Sequence, residues 1–330
     1  MVSREGALTA AVAAAWGVCF VLLSTLVRAG DPLLLAAVRG LLGGGVLAGA
    51  AVWRGGPRRL LAAGAGWRMM TLLAWLNGSI ALGAMFLAAG RADVAAETVV
   101  GNAQPILLAV AGAMLFGERA GRRAVLGISL GAVGVGLVAA GSRAGGAEPT
   151  GLAFALLSTS APAAGTVLMR RLVGHVDLLV VTAWQFLAGS ATLFALAAIV
   201  EEPLAVRLSG PDALALAFLG VGGTGLSYLV WFGLLERVPL AHLGSALYLV
   251  PIAGVTADVL AGGRVSLSEI TGVAVMLAGV ALATSRPATG GRATPARVIG
   301  DPERAAEPSS ELLSRASGTA HVVAAGWHHG

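Results

Sequence analysis

An all-α integral membrane protein, with ten transmembrane helices arranged as two inverted-topology five-helix repeats, is what this 330-residue sequence predicts. Three observations carry that prediction. The chain is 57% apolar and only 12% charged, about half the roughly 25% charge of soluble domains. Apolar runs of roughly 18–24 residues recur along it, each suited to cross a bilayer as a helix. The first half of the sequence also recurs in the second, 146 positions on.

Charge distribution excludes several function classes. Nine of the 39 charges fall in residues 286–330, which leaves 30 across the first 285, too few to solvate a soluble protein of this size. All 22 basic residues are arginine. Without lysine the chain lacks the residue that a Walker A loop or a Schiff-base enzyme requires. The arginines are scattered between apolar runs and not clustered with aromatics, so no nucleic-acid partner is expected. Cys19 is the one cysteine and lies in the first apolar run, where it permits neither an intrachain disulfide nor a multi-cysteine zinc site. No cofactor and no metal is expected; His321, His328 and His329 belong to a solvated tail.

The spans are expected at 8–27, 33–53, 69–90, 94–116, 123–141, 151–169, 178–200, 213–235, 241–262 and 268–285. Asp31-Pro32, Pro57 within the Arg54–Arg59 run, Glu148-Pro149, Glu201 with Pro203, Pro211-Asp212 and Pro239 punctuate the gaps. The first run is long and no soluble domain follows it, which argues for a retained helix rather than a signal peptide. Residues 286–330, rich in Pro, Gly, Ala, Arg, Glu and Ser, are expected to be a disordered tail. With the N-terminus cytoplasmic, sixteen arginines fall on the inside and five outside, so the positive-inside rule places both termini in the cytoplasm.

Self-comparison pairs Asp31 with Asp177, Arg39 with Gln185, Gly43 with Gly189, Arg91 with Arg237, Pro105 with Pro251 and Gly117 with Gly263, every pair 146 apart. Beyond Gly117 the register slips by one, pairing Gly127 with Gly272 and Gly134 with Gly279. The expected domains are 1–145 and 146–285, followed by the tail. Five helices per repeat force the second copy to enter the membrane from the opposite side, an arrangement that serves alternating access in secondary transporters.

Trp16-Gly17, Arg39, the pattern Pro105…Phe116-Gly117-Glu118-Arg119 with Gly127…Gly131…Gly134, and its weaker copy Pro251…Gly263…Gly272…Gly279 carry a family likeness. Over residues 8–285 the sequence resembles the EamA-type permeases of the drug/metabolite transporter superfamily. The resemblance implies ten helices in two repeats, a central cavity and export or exchange of small metabolites. The reading expected from the whole sequence is a bacterial-type inner-membrane permease that moves small polar or amphipathic metabolites, such as amino acids, by alternating access. Arg264 stands in repeat two where repeat one has Glu118, a departure from that pattern.

Candidate site residues follow from the cost of polar groups at membrane depth. Glu97, Gly101, Gln104 and Leu108 share one helical face, with Thr98, Asn102 and Pro105 beside it. The repeat mate places His242, Ser245 and Tyr248 on a looser stripe leading to Pro251. Asn77, Trp184, Gln185, Ser227 and Tyr228 complete the expected cavity, and Pro105 and Pro251 are the expected hinges. Interhelical hydrogen bonding is the competing reading of each polar residue taken singly.

Arg39 lies roughly 9 Å deep in its helix. It pairs with Glu97 as a gate or lock, the reading the sequence favours, or anchors an anionic substrate group, or snorkels to the interface. Glu97 and His242 are the candidates for proton coupling. A small-molecule substrate and the bilayer are the expected partners. Gly40-Gly44, Gly45-Gly49 and Gly127-Gly131 are close-packing spacings that leave room for a homodimer face. The alternatives are a passive channel, or a hydrolase built on Gly225-Leu226-Ser227 and His242.

Overall fold

The computed structural model describes residues 4–28, 30–91, 104–117, 121–141, 149–201, 208–260 and 266–284. Among these residues the regular secondary structure is entirely helical. The helices are α1 (Arg4–Leu26), α2 (Pro32–Gly55), α3 (Trp67–Ala89), α4 (Gln104–Phe116), α5 (Arg122–Gly141) and α6 (Pro149–Leu172). They continue as α7 (Leu178–Val200), α8 (Gly210–Leu235), α9 (Leu240–Ala246), α10 (Leu249–Leu260) and α11 (Leu267–Thr284). Six of them, α1, α2, α3, α6, α7 and α8, are long and apolar enough to cross a membrane. At 1.5 Å per residue each reaches about 35 Å, against a hydrocarbon core of about 30 Å. α4 and residues Ile270–Ala283 of α11 are shorter apolar stretches.

Local chemistry sets the helix ends. Asp177 caps α7, its carboxylate accepting from Leu179 N and Val180 N at 3.2 and 3.3 Å. Ser209 and Asp212 form a reciprocal capping box on α8. Gly56 and Gly117 adopt φ of +76° and +63° just past α2 and α4, a left-handed turn that side chains with a Cβ resist.

The run expected as one span over 241–262 is two helices. The chain breaks at Leu247–Tyr248, between α9 and α10. The reason is Pro251, which has no N–H to give the Leu247 carbonyl four residues earlier. A second departure is shared by both halves. α3 widens into π-helix over Ala74–Ile80 and α8 over Val221–Leu226, stretches whose last residues are 146 positions apart. Hydroxyls follow the wider turn, with Thr224 Oγ1 donating to Leu219 O at 3.0 Å and Ser227 Oγ to Gly222 O at 2.8 Å, each five residues back.

Packing between the halves obeys the repeat. α2 lies against α7 and α5 against α11, each helix against its own equivalent. α3 packs on α6 and α7, as α8 packs on α1 and α2. Glycines permit the closest approaches. A Cβ at Gly127 would sit 2.5 Å from Gly279 O, and one at Gly134 would sit 2.7 Å from Gly272 O, two contacts that the repeat exchanges. A Cβ at Gly189 would lie 2.5 Å from Gly78 Cα.

Both ends of the α2–α7 pair are stitched across the repeats. At one end Glu201, just past α7, accepts from Leu33 N and Leu34 N of α2 at 2.8 and 3.0 Å. Asp31 occupies the N-cap position but makes no side-chain cap, so its sequence mate Asp177 has a different task. At the other end Arg59 Nε donates to Asp177 Oδ2 at 2.6 Å, Asp177 N to Ala63 O at 3.2 Å, and Trp184 Nε1 to Leu60 O at 2.8 Å.

The hydrogen bond to Asp177 pushes the Arg59 pKa upward. A raised pKa contributes stability that is complete below the usual arginine range and is lost only as pH climbs through the folded value. Arg59→Gln is therefore expected to lower the melting temperature in detergent equally at pH 6 and pH 8. A drop that differs between the two would assign the effect to another group.

Candidate functional site

A cavity of about 120 Å³ lies between the two halves, lined from α1, α2, α3, α4, α6, α8 and the α9–α10 break. At about 30 Å³ per water it has room for about four waters, or one small solute. Its lining repeats internally. Trp16 faces it with Pro162, Phe20 with Thr166, Leu82 with Tyr228, Met85 with Trp231 and Gln104 with Val250, and each pair is 146 positions apart. The cavity therefore sits on the pseudo-twofold that relates the repeats, where an inverted-repeat carrier places its ligand.

The chemistry on that symmetric frame is one-sided. Arg39, 4% exposed, borders the cavity from α2. Its Nε donates to Thr224 Oγ1 in the π stretch of α8 at 3.0 Å, and Nη1 approaches Met85 Sδ at 3.9 Å. Among the described residues the one ion pair is Arg59–Asp177, so no carboxylate there meets Arg39. Glu97, the expected lock partner, lies outside the described residues, as do Thr98 and Asn102. An aromatic wall stands beside the guanidinium. Trp16 tilts against Tyr228 and Trp231 with ring centroids 5.6 and 5.2 Å apart, and its Nε1 donates to Gly223 O at 2.8 Å. Pro162 lies inside α6 and has no N–H to give the Ser158 carbonyl beside the cavity.

Of the residues expected in the site, Arg39, Gln104, Pro105 and Tyr228 line this cavity. Asn77 and Gln185 are fully buried between α3 and α7, joined by Asn77 Nδ2 donating to Gln185 Oε1 at 3.0 Å. Ser227 is buried with its hydroxyl turned to Gly222 O. Tyr248 packs on Gly131 and donates its hydroxyl to Ile128 O at 3.0 Å, joining the α9–α10 break to α5. Trp184 stands half-exposed at the Leu60 end of α7, and His242 is exposed on α9. Ser245 and Pro251 belong to α9 and α10, their side chains outside the described residues.

The EamA-like transporter family matches the chain twice, over residues 4–140 and 149–285. The chain belongs to that family. The uncharacterized transporter YvbV of Bacillus subtilis is 26% identical over 306 residues, covering 92% of this chain and 98% of its own. A protein of Salmonella typhimurium named a probable amino-acid metabolite efflux pump is 26% identical, covering 85% and 94%. A solved crystal structure matches with a TM-score of 0.72 at 25% identity, over 86% of this chain and 97% of the other. This EamA-family chain is thus a multi-pass membrane transporter for a small molecule. The named relatives are transporters and not enzymes.

Sequence reasoning passed over Cys19, Met85, Ser158, Thr159, Pro162 and Thr166 as cavity residues. The signal was present for three of them. Carrying the aromatic residues of the cavity wall through the 146-residue register leads from Trp231 to Met85, from Trp16 to Pro162 and from Phe20 to Thr166.

Proposed function

We propose that this protein moves small amphipathic metabolites bearing a carboxylate, amino acids and their relatives among them, outward by alternating access. Ten spans, with both termini cytoplasmic, complete the reading. The observation that carries it is a buried guanidinium beside an aromatic wall in a cavity on the repeat axis. Arginine binds a carboxylate through paired N–H donors, and the rings accept an apolar body. The Salmonella relative, named for amino-acid metabolite efflux, agrees with this substrate class. Rocking of one repeat against the other moves access between faces, with the α9–α10 break and Pro105 as points of bending. Glu97 and His242 are the groups proposed for proton coupling.

Counterflow in proteoliposomes across a panel of labelled amino acids and metabolites, with and without a pH gradient, tests the proposal. Saturable exchange of carboxylate-bearing compounds supports it; non-saturable flux of many solutes would assign the cavity to a passive channel. A native probe supplies an independent check, since Cys19 is the one cysteine and lines the cavity with Arg39. An anionic thiol reagent is expected to modify Cys19 about tenfold faster than a cationic one of equal size. Arg39→Gln should remove that preference.

A further inference from the structure

The cavity uses only one of two equivalent polar clusters. In the first, Cys19 of α1 fills the space beside Gly223 of α8, and Arg39 of α2 reaches Thr224. Moving each residue by 146 positions gives the second. Gly165 of α6 lies beside Asn77 of α3, and Gln185 of α7 stands at the place of Arg39. The two contacts are equivalent, with the side chain supplied by opposite partners. Cys19 and Arg39 border the cavity, whereas Asn77 and Gln185 are 1% and 0% exposed and packed shut.

That closed cluster is chemically incomplete. Asn77 Nδ2 donates to Gln185 Oε1, but Asn77 Oδ1 and Gln185 Nε2 have no hydrogen-bond partner among the described residues. Reversing both amides moves the orphaned donor and acceptor without removing them. Buried amide atoms left this way cost about 1–3 kcal/mol apiece and require an explanation.

We infer that the Asn77–Gln185 amides are the ligand-contacting site of the opposite-facing conformation, the counterpart of Arg39 in this one. The inference rests on the alternating-access reading above. In an inverted repeat the second state arises when each half adopts the other's conformation. The mates of Cys19, Leu23, Arg39 and Ala81, which line the cavity now, are Gly165, Met169, Gln185 and Ser227. The mates of Ser158 and Thr159 are Val12 and Ala13. Val12 and Ala13 lie in the half of α1 nearer Arg4, and Met169 lies near the end of α6. Exchange therefore carries the lining from the Leu26 end of α1 to the Arg4 end, as opening to the other face demands.

There the freed amide N–H groups meet the ligand's carboxylate as neutral donors. A neutral amide lacks the positive charge and forked N–H pair of a guanidinium and holds a carboxylate more weakly. The carboxylate is thus held tightly in the Arg39 state and loosely in the Gln185 state. The orphaned amide atoms find partners only in the second state, which offsets part of its cost.

Thiol accessibility in sided membrane vesicles is the test, with a membrane-impermeant maleimide as probe. Native Cys19 is compared with Gln185→Cys and, separately, Asn77→Cys, both in a Cys19→Ser background. Cys19 is expected to react from one face and the introduced thiols from the opposite face, each with a face preference of about tenfold or more. Either introduced thiol in a folded protein suffices, so failure of one variant to fold leaves the test intact. Reaction of the introduced thiols from the Cys19 face, or from neither face while Cys19 reacts, overturns the inference and leaves transport standing. Cys19 reacting equally from both faces overturns alternating access, and this inference with it.

Discussion

Arg39→Gln abolishes transport of a carboxylate substrate at ordinary concentrations, raising its KM about a hundredfold, while the folded protein stays as stable or gains stability. The first half follows from losing a charge-assisted hydrogen-bond pair to the substrate, worth about 3 kcal/mol in a desolvated site. The second half follows from burial. A guanidinium only 4% exposed, whose described partners are one hydroxyl and one thioether, pays desolvation with little return. Glutamine keeps polar contact with Thr224 and removes that cost. The opposing lock reading predicts a different pair of results. If Arg39 neutralised Glu97, its removal would strand a buried carboxylate and lower stability by about 3–5 kcal/mol. Substrate counterflow and melting temperature, measured on the same preparation, separate the two. Lost transport with a retained melting temperature assigns Arg39 to the ligand, and a collapsed melting temperature assigns it to the lock.

What the sequence made legible was the part governed by one-dimensional rules. The membrane class, the helical character and the 146-residue register need no knowledge of packing, and the register reaches as far as the paired lining of the cavity. Arg39 stood out because a charge in an apolar run demands a reason. What stayed hidden depends on contacts between distant helices. Nothing in Ala74–Ile80 or Val221–Leu226 marks a π stretch, since the two share little sequence and one holds a single glycine against three in the other. The division of labour between Asp31 and Asp177 was equally invisible, because it turns on where Glu201 and Arg59 arrive in space. Tyr248 was legible as a polar side chain on a stripe. Its hydroxyl's choice of Ile128 O over the cavity is set by Gly131, whose missing side chain makes room for the ring.

Gly189→Val prevents folding, or lowers stability by about 3 kcal/mol or more, whereas Gly45→Ala and Gly49→Ala are neutral or stabilising by about 0.5–1 kcal/mol. All three residues lie in helices, and sequence spacing gives no ground to rank them. Space decides. A Cβ at Gly189 would meet Gly78 Cα at 2.5 Å and Ala74 O at 2.8 Å, backbone atoms of α3 that cannot rotate aside. Nothing lies within 4 Å of a Cβ at Gly45 or Gly49, so alanine there adds only its better helix propensity. Gly43, the repeat mate of Gly189, provides a graded control. Its Cβ would meet the Thr224 side chain at 2.5 Å, a β-branched group beside Arg39, together with Gly220 O at 3.0 Å. Gly43→Ala is accordingly expected to cost less than Gly189→Ala, yet to disturb transport more, because the displaced hydroxyl is the one that holds the Arg39 guanidinium. Melting curves in detergent order the stabilities, and counterflow orders the activities. Two orders that run oppositely for this symmetric pair would show one repeat carrying the ligand chemistry while the other carries the tighter packing.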